Sequence, residues 1–241
     1  GMPEAVMDAA GLSHGMVLVT GTAGSGKSTT LACIIDRINR TRKAHIITLE
    51  DPIEFLHCDR MSIVSQREIA IDTADYLSAL RACLRQAPDV ILLGEMRDYE
   101  TIRTAMTAAE TGHLLFASLH TRGAADTIDR IIDTFPPEQQ GQIRTQLSTV
   151  LQAVISEQLL PSTEGGLVPA FEIMHMTPAI RSLIRENKCH QIDNAITAGA
   201  SDGMVSMDQS ILALYKAGRI TRETALGYAD HPEVLERRLR L

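Results

Sequence analysis

The first two thirds of the chain alternate short apolar runs with longer stretches in which apolar residues return every three or four positions. The short runs predict buried strands over residues 16–20, 44–49, 89–93 and 114–119. Between them, Leu31, Ile34, Ile35 and Ile38 share one face of a helix predicted over 27–39. Leu77, Leu80 and Leu84 predict a helix over 73–86, and Ile102, Ala105, Met106 and Ala109 one over 99–111. Ile128, Ile131 and Ile132 predict another over 124–133. Strand alternating with helix implies a mainly parallel sheet covered on both faces, an α/β architecture.

The pattern changes at Pro136-Pro137. The residues after it predict a long helix over 140–157, then a β-hairpin made of 158–160 and 167–174 around Glu164-Gly165-Gly166. The rest reads as helices over 178–186, 190–198, 206–217, 221–228 and 232–239. The expected organisation is an α/β core over 1–176 followed by a helical appendage over 177–241. That appendage need not fold by itself.

Composition narrows the function classes. With 44% hydrophobic residues, 241 residues suffice for a substantial core. The balance of 23 basic against 30 acidic residues, a net charge of −7, argues against a general nucleic-acid surface. No Trp and only 3% aromatic residues leave few platforms for stacking bases. Cys33, Cys58, Cys83 and Cys189 form no CxxC pair, so neither a zinc knuckle nor a disulfide framework is expected. No apolar run approaches the roughly 18 residues of a bilayer span, and no secretory leader is visible, which reads as a cytosolic chain. Gly1 ahead of Met2 looks like the remnant of a cleaved tag, so natural sequence is expected upstream.

Chemistry enters with Gly21-Thr22-Ala23-Gly24-Ser25-Gly26-Lys27-Ser28, a full GxxxxGK[ST] phosphate loop between a predicted strand and a predicted helix. Its glycines let the backbone turn successive N–H groups toward a phosphate, and the helix N-terminus adds a field that favours anions. Lys27 offers a point charge to the β- and γ-phosphates, the Ser28 hydroxyl a ligand for Mg²⁺, and Thr29 extends the binding segment. ATP with Mg²⁺ is the expected ligand.

In a parallel sheet, ligands gather at the carboxyl ends of the strands. The second predicted strand is followed by Glu50-Asp51-Pro52-Ile53-Glu54, the third by Gly94-Glu95-Met96-Arg97-Asp98 and the fourth by His120-Thr121. Four apolar residues ahead of Gly94-Glu95 have the shape of a Walker B strand, which makes Glu95 the metal-side acid together with Ser28. Glu54 or Glu50 is the candidate base for a hydrolytic water, and His120 the candidate contact to the γ-phosphate. His113 is about 20 Å from His120 along an extended strand and reads as structural. A ring-forming ATPase would use an arginine to reach a neighbour's phosphate. Arg81, Arg85, Arg97, Arg103 and Arg130 are all available, with Arg130 the favoured candidate.

These residues resemble the secretion ATPase superfamily of type II and type IV systems, with motifs in order from about Gly15 to Met204. Ile47-Thr48-Leu49-Glu50-Asp51-Pro52-Ile53-Glu54 is similar to the family's Asp box, which implies Glu54 rather than Glu50 as the base. Ile91-Leu92-Leu93-Gly94-Glu95-Met96-Arg97-Asp98 is similar to its atypical Walker B. Thr111-Gly112-His113 and Leu119-His120-Thr121 are similar to its His box. Ala179-Ile180-Arg181-Ser182-Leu183-Ile184-Arg185-Glu186 is similar to the AIRNLIRE motif of the PilT-type retraction branch, with Ser182 where Asn is usual.

The resemblance implies a RecA-like P-loop core that drives type IV pilus retraction in twitching motility. It implies a homo-hexamer at the cytoplasmic face of the inner membrane, tied there peripherally through a membrane platform protein and the pilus machinery, with no nucleic-acid partner. A secretion or pilus-assembly ATPase, or a nucleotide-binding scaffold with little hydrolysis, is the alternative. Family members also carry an N-terminal PAS-like domain of roughly one hundred residues that contributes arginines to the nucleotide site. Only about fifteen residues precede the first predicted strand here, so this chain is expected to bind nucleotide and hydrolyse it weakly.

Overall fold

The computed structural model describes residues 2–239; Gly1, read above as a tag remnant, and residues 240–241 of the expected appendage lie outside them. Seven strands form one sheet in the order β3-β2-β4-β5-β1-β6-β7. The strands are β1 (Gly15–Thr20), β2 (His45–Glu50), β3 (Ile63–Glu68), β4 (Val90–Leu93), β5 (Leu114–Leu119), β6 (Leu151–Pro161) and β7 (Leu167–His175). Every pairing is parallel except that of β6 with β7. The carboxyl ends of β1, β2, β4 and β5 therefore meet at one edge.

The inner strands are apolar on both faces, as parallel strands covered by helices must be. Val17, Val19, Ile46, Val90, Leu92 and Phe116 point to a layer closed by α2 (Lys27–Thr41) and the short N-terminal helix α1 (Glu4–Met7). Ile34, Ile35 and Ile38 of α2 are fully buried there. Met16, Leu18, Ile47, Leu49, Ile91, Leu93 and Leu115 point to the opposite layer. That layer is closed by α3 (Tyr76–Cys83), α4 (Tyr99–Glu110), α5 (Ala124–Asp133) and α6 (Pro137–Val150).

One predicted boundary is corrected and one unforeseen strand is added. The helix expected over 140–157 ends at Val150, and Leu151 begins β6, which pairs in parallel with β1. Val154 belongs to one core layer while Ala153 and Ile155 belong to the other. A strand buried on both faces shows no period-two alternation, so its apolar run merged with that of the helix before it. The strand β3 was not expected at all. It sits at the sheet edge, and its sequence Ile63-Val64-Ser65-Gln66-Arg67-Glu68 carries too few apolar residues to announce a strand.

The hairpin turn uses Gly165 and Gly166, both at positive φ. After it come α7 (Pro178–Arg185), α8 (Ile192–Ala198), α9 (Met207–Lys216), α10 (Arg222–Tyr228) and α11 (Pro232–Leu239). Thr177 caps α7 through the Ile180 N–H, and Ser206 with Gln209 forms a capping box at α9. Ile180, Ile184, Ile192 and Ile196 enter the same core layer as α4–α6. Met207, Ile211, Ala225 and Leu235 instead pack with Leu160, Val168 and Ala170 of the hairpin.

Candidate nucleotide site

The site begins where β1 stops. Thr20 is followed by a turn through Gly21, Gly24 and Gly26, all at positive φ, before α2 starts at Lys27. These positions are crowded as well as twisted. A Cβ on Gly21 would lie 2.4 Å from the Glu157 carbonyl oxygen, and one on Gly26 would lie 2.4 Å from Glu157 Oε1. The turn leaves Ser25 Oγ buried without a hydrogen-bond partner, the sole such side-chain atom among the described residues. A buried hydroxyl left unpartnered in a glycine-rich turn suits a phosphate oxygen.

Lys27 folds back over the loop. Its Nζ donates to the carbonyls of Gly21 (3.0 Å) and Thr22 (2.8 Å) and faces His120 Nδ1 at 3.3 Å. His120 Nε2 in turn lies 3.3 Å from Glu95 Oε1. An ammonium has only donors to offer, so Nδ1 is the accepting nitrogen and Nε2–H donates to the carboxylate. The ends of β1, β4 and β5 are thereby joined in one chain, Lys27–His120–Glu95. Burial is the largest influence on Lys27 and lowers its pKa, against the opposing charges of Glu95, Glu157 and Glu54.

Glu95 is held on its other side by Arg97, 2.5 Å away. Burial pushes its carboxyl upward. The Arg97 hydrogen bond, together with the charges of His120, Arg97 and Lys27, outweighs burial and keeps the pKa below the usual value. The segment carrying Glu95 is fixed by backbone contacts: Gly94 N–H donates to Leu49 O (2.7 Å), and Ser118 Oγ donates to Gly94 O (2.5 Å). The Tyr76 hydroxyl packs against Gly94, within 3.0 Å of where a Cβ would stand, and burial pushes its pKa to about 12.

Glu50 and Glu54 separate clearly. Glu50 turns sideways along the sheet, accepting from Thr48 Oγ1 (2.6 Å) and Gln66 Nε2 (3.3 Å). Glu54, on the loop beyond, reaches back so that Ser28 Oγ donates to its Oε1 at 2.8 Å. Exposed Thr22, Ala23, Gly24 and Thr29 line the open side of the loop. His113 stands at the other end of β5, with Nδ1 on the Ala108 carbonyl at 2.9 Å.

The remaining candidate is not drawn into this cluster. Arg130 lies exposed in the last turn of α5, and among the described residues no hydrogen bond or ion pair links it to Lys27, Glu54, Glu95 or His120. Arg122 is nearer, lining a pocket of about 250 Å³ with Gly21, Thr22, Glu157 and Tyr228. Sequence reasoning missed Glu157, Tyr76 and Arg122. Glu157 carried a signal: an acid inside an apolar run that, read as a strand, ends beside the loop.

The comparisons with known proteins agree with this geometry. Residues 3–223 match the type II/IV secretion system protein family. The chain is 52% identical to the type IV pilus retraction ATPase PilT of Pseudomonas aeruginosa over 97% of its own length and 68% of the relative's. It is also 52% identical to a twitching motility protein of Neisseria gonorrhoeae, over 91% of its own length and 59% of that relative's. A crystal structure of the pilus retraction motor PilT with bound ADP superposes with a TM-score of 0.92 at 50% identity, covering 98% of this chain and 67% of the other. A RecA-like core with a C-terminal helical appendage, a complete phosphate loop and relatives of this closeness carry one conclusion: the chain belongs to the type II/IV secretion system protein family.

Proposed function

We propose that this chain is the ATPase core of a type IV pilus retraction motor, with residues 1–176 as the hydrolytic unit and 177–241 as its helical appendage. The observation that carries the reading is the convergence of four strand ends on one phosphate loop, through the Ser28–Glu54 and Lys27–His120–Glu95 contacts. A structurally similar retraction motor crystallised with bound ADP, which supports an adenine nucleotide as the ligand.

The loop residues Gly21, Thr22, Ala23, Gly24, Ser25, Gly26, Lys27, Ser28 and Thr29 bind the nucleotide, with Ser25 Oγ offered to a phosphate oxygen. Ser28 and Glu95 present hard oxygen atoms that fit Mg²⁺. Among the described residues no three His, Cys, Asp or Glu side chains gather to hold a metal by themselves. That suits a cation which shares its shell with phosphate and water. Mg²⁺ would supply charge neutralisation at the phosphates. Glu54 orients a water and accepts its proton; its bond to Ser28 keeps the carboxylate beside the loop. His120 sits between Lys27 and Glu95, where it reports the presence of a γ-phosphate to both. Arg130 is offered to a neighbouring subunit, and its exposure supports that role.

The assembly we infer is a homo-hexamer at the cytoplasmic face of the inner membrane, held by a pilus platform protein. Among the described residues no helix is long and apolar enough to cross a membrane. Glu54→Gln and Glu95→Gln, each in the full-length protein, should reduce ATP turnover by about a hundredfold or more and leave MgADP affinity within a few fold. Wild-type turnover in both variants overturns the assignment. Negligible turnover in the wild-type full-length protein would favour a scaffold instead.

A further inference from the structure

The strand β6 brings an acid to the phosphate loop that none of the roles above employs. Thr20 pairs with Ser156, so the next residue, Glu157, stands directly beneath the turn that leaves β1. Its side chain is buried, at 3% exposure. Its Oε2 accepts from Thr30 Oγ1 at 2.8 Å, in the first turn of α2. Its Oε1 and its carbonyl oxygen occupy the space that a Cβ on Gly26 or on Gly21 would need. The two ends of the phosphate loop are therefore moulded on this one residue.

Glu157 has no ion-pair partner among the described residues; Lys27, the nearest cation, spends its hydrogen bonds on Gly21, Thr22 and His120. Burial dominates its titration and pushes the pKa to about 7, only partly countered by the Thr30 hydrogen bond and the Lys27 charge. The other titratable groups around it are Cys33 on α2, Arg122 after β5, and Tyr228 and Asp230 beyond the pocket at the end of α10. Arg122 and Asp230 are both exposed to solvent, and neither pairs with Glu157 among the described residues.

We propose that Glu157 is a positioning residue for the phosphate loop that must be protonated when the loop holds a polyphosphate, so that nucleotide binding takes up a proton at this carboxyl. The proposal rests on the nucleotide-binding reading above. An ionised carboxylate under the loop would oppose the phosphates across a buried, poorly screened gap. A protonated carboxyl keeps an oxygen free to accept from Thr30 and removes that repulsion.

The test is calorimetric titration of the protein with MgADP in buffers of different ionisation enthalpy, repeated from about pH 6.5 to 8.5. The wild type should take up as much as about one proton above pH 7, and its Kd should rise by up to about tenfold per pH unit there. Glu157→Gln keeps the shape and the acceptor for Thr30; it should show a smaller uptake and a flatter profile, with tighter binding at the alkaline end. Thr30→Val removes a bond that favours the ionised form, so it should move the wild-type midpoint to higher pH, and it serves where Glu157→Gln does not fold. Equal proton uptake and equal slopes in wild type and Glu157→Gln, or an unmoved midpoint in Thr30→Val, overturn the proposal. No MgADP binding at any pH overturns the nucleotide reading itself, a result distinct from binding without the Glu157-dependent slope.

Discussion

At the scale of single residues, the site is organised by where each acid is allowed to point. Glu50 ends β2 and Glu54 follows four positions later in the loop, and spacing alone left both open as the base; only the family resemblance separated them. What the sequence hides is the sideways pull on Glu50 from Thr48 and Gln66, the latter on a strand that was not foreseen. Glu157 was hidden for a related reason, being assigned to a helix that stops seven residues earlier. Glu95 was legible because its strand is short, apolar and followed by Gly94. The electrostatics of Glu95 yield a prediction with a definite sign. Its lowered pKa depends on Arg97, so Arg97→Ala should raise it toward the ordinary range. If turnover needs the ionised carboxylate, the acid limb of kcat/KM should move to higher pH. Arg97 is 73% exposed, so solvent screens the pair and the move should stay under about one pH unit. A pH–rate profile of the full-length variant checks this; an unmoved limb would detach Glu95 ionisation from turnover.

At the scale of elements, the inner parallel strands β1, β2, β4 and β5 and the amphipathic helices α2 to α5 were readable because each pattern matches the layer it joins. Patterning failed where a strand buried on both faces follows a helix without a break, at Val150–Leu151 of α6 and β6, and where burial is nearly absent, in edge strand β3. The helix α7 shows how a motif can be right in place and plain in purpose. Ile180 and Ile184 are fully buried in the main core layer, and Arg181 reaches back to the carbonyls of Ser148, Thr149 and Leu151 where α6 ends. Ser182, the departure from the family motif, bonds Glu186 on the outer face, where a change of side chain disturbs no packing. This arrangement ties α7 to the strands energetically. Ile184→Ala should cost about 2–5 kcal/mol, as other buried aliphatic truncations do. Because α7 shares the core with α6, urea unfolding should remain a single transition shifted to lower urea. A new early transition confined to the helical region would show that the appendage unfolds independently.

At the scale of the whole molecule, the architecture places every proposed catalytic group of this chain except Arg130 at one sheet edge. The edge is open, with Thr22, Ala23, Gly24 and Glu54 exposed to solvent. Electrostatic stabilisation of phosphoryl transfer works best where water is excluded and donors surround the phosphate. The chain spans 68% and 59% of the two relatives' lengths. Among the described residues Lys27 bonds the loop carbonyls directly and His120 faces Lys27, while Arg122 only lines the neighbouring pocket. An arginine from a second subunit would complete the set, with gains of about 10³ or more in turnover in systems that use one. Two quantities should therefore rise together when the chain is extended upstream to the relatives' length: particle mass, toward six copies, and ATP turnover per subunit. Turnover of the extended protein should grow steeply with protein concentration and lose that dependence in Arg130→Ala, whose kcat should fall while MgADP affinity holds. Light scattering and steady-state ATPase rates on the two lengths measure both. A 241-residue monomer that turns over ATP as fast as the extended assembly would mean that the open edge suffices alone, and that no neighbour contributes to the chemistry.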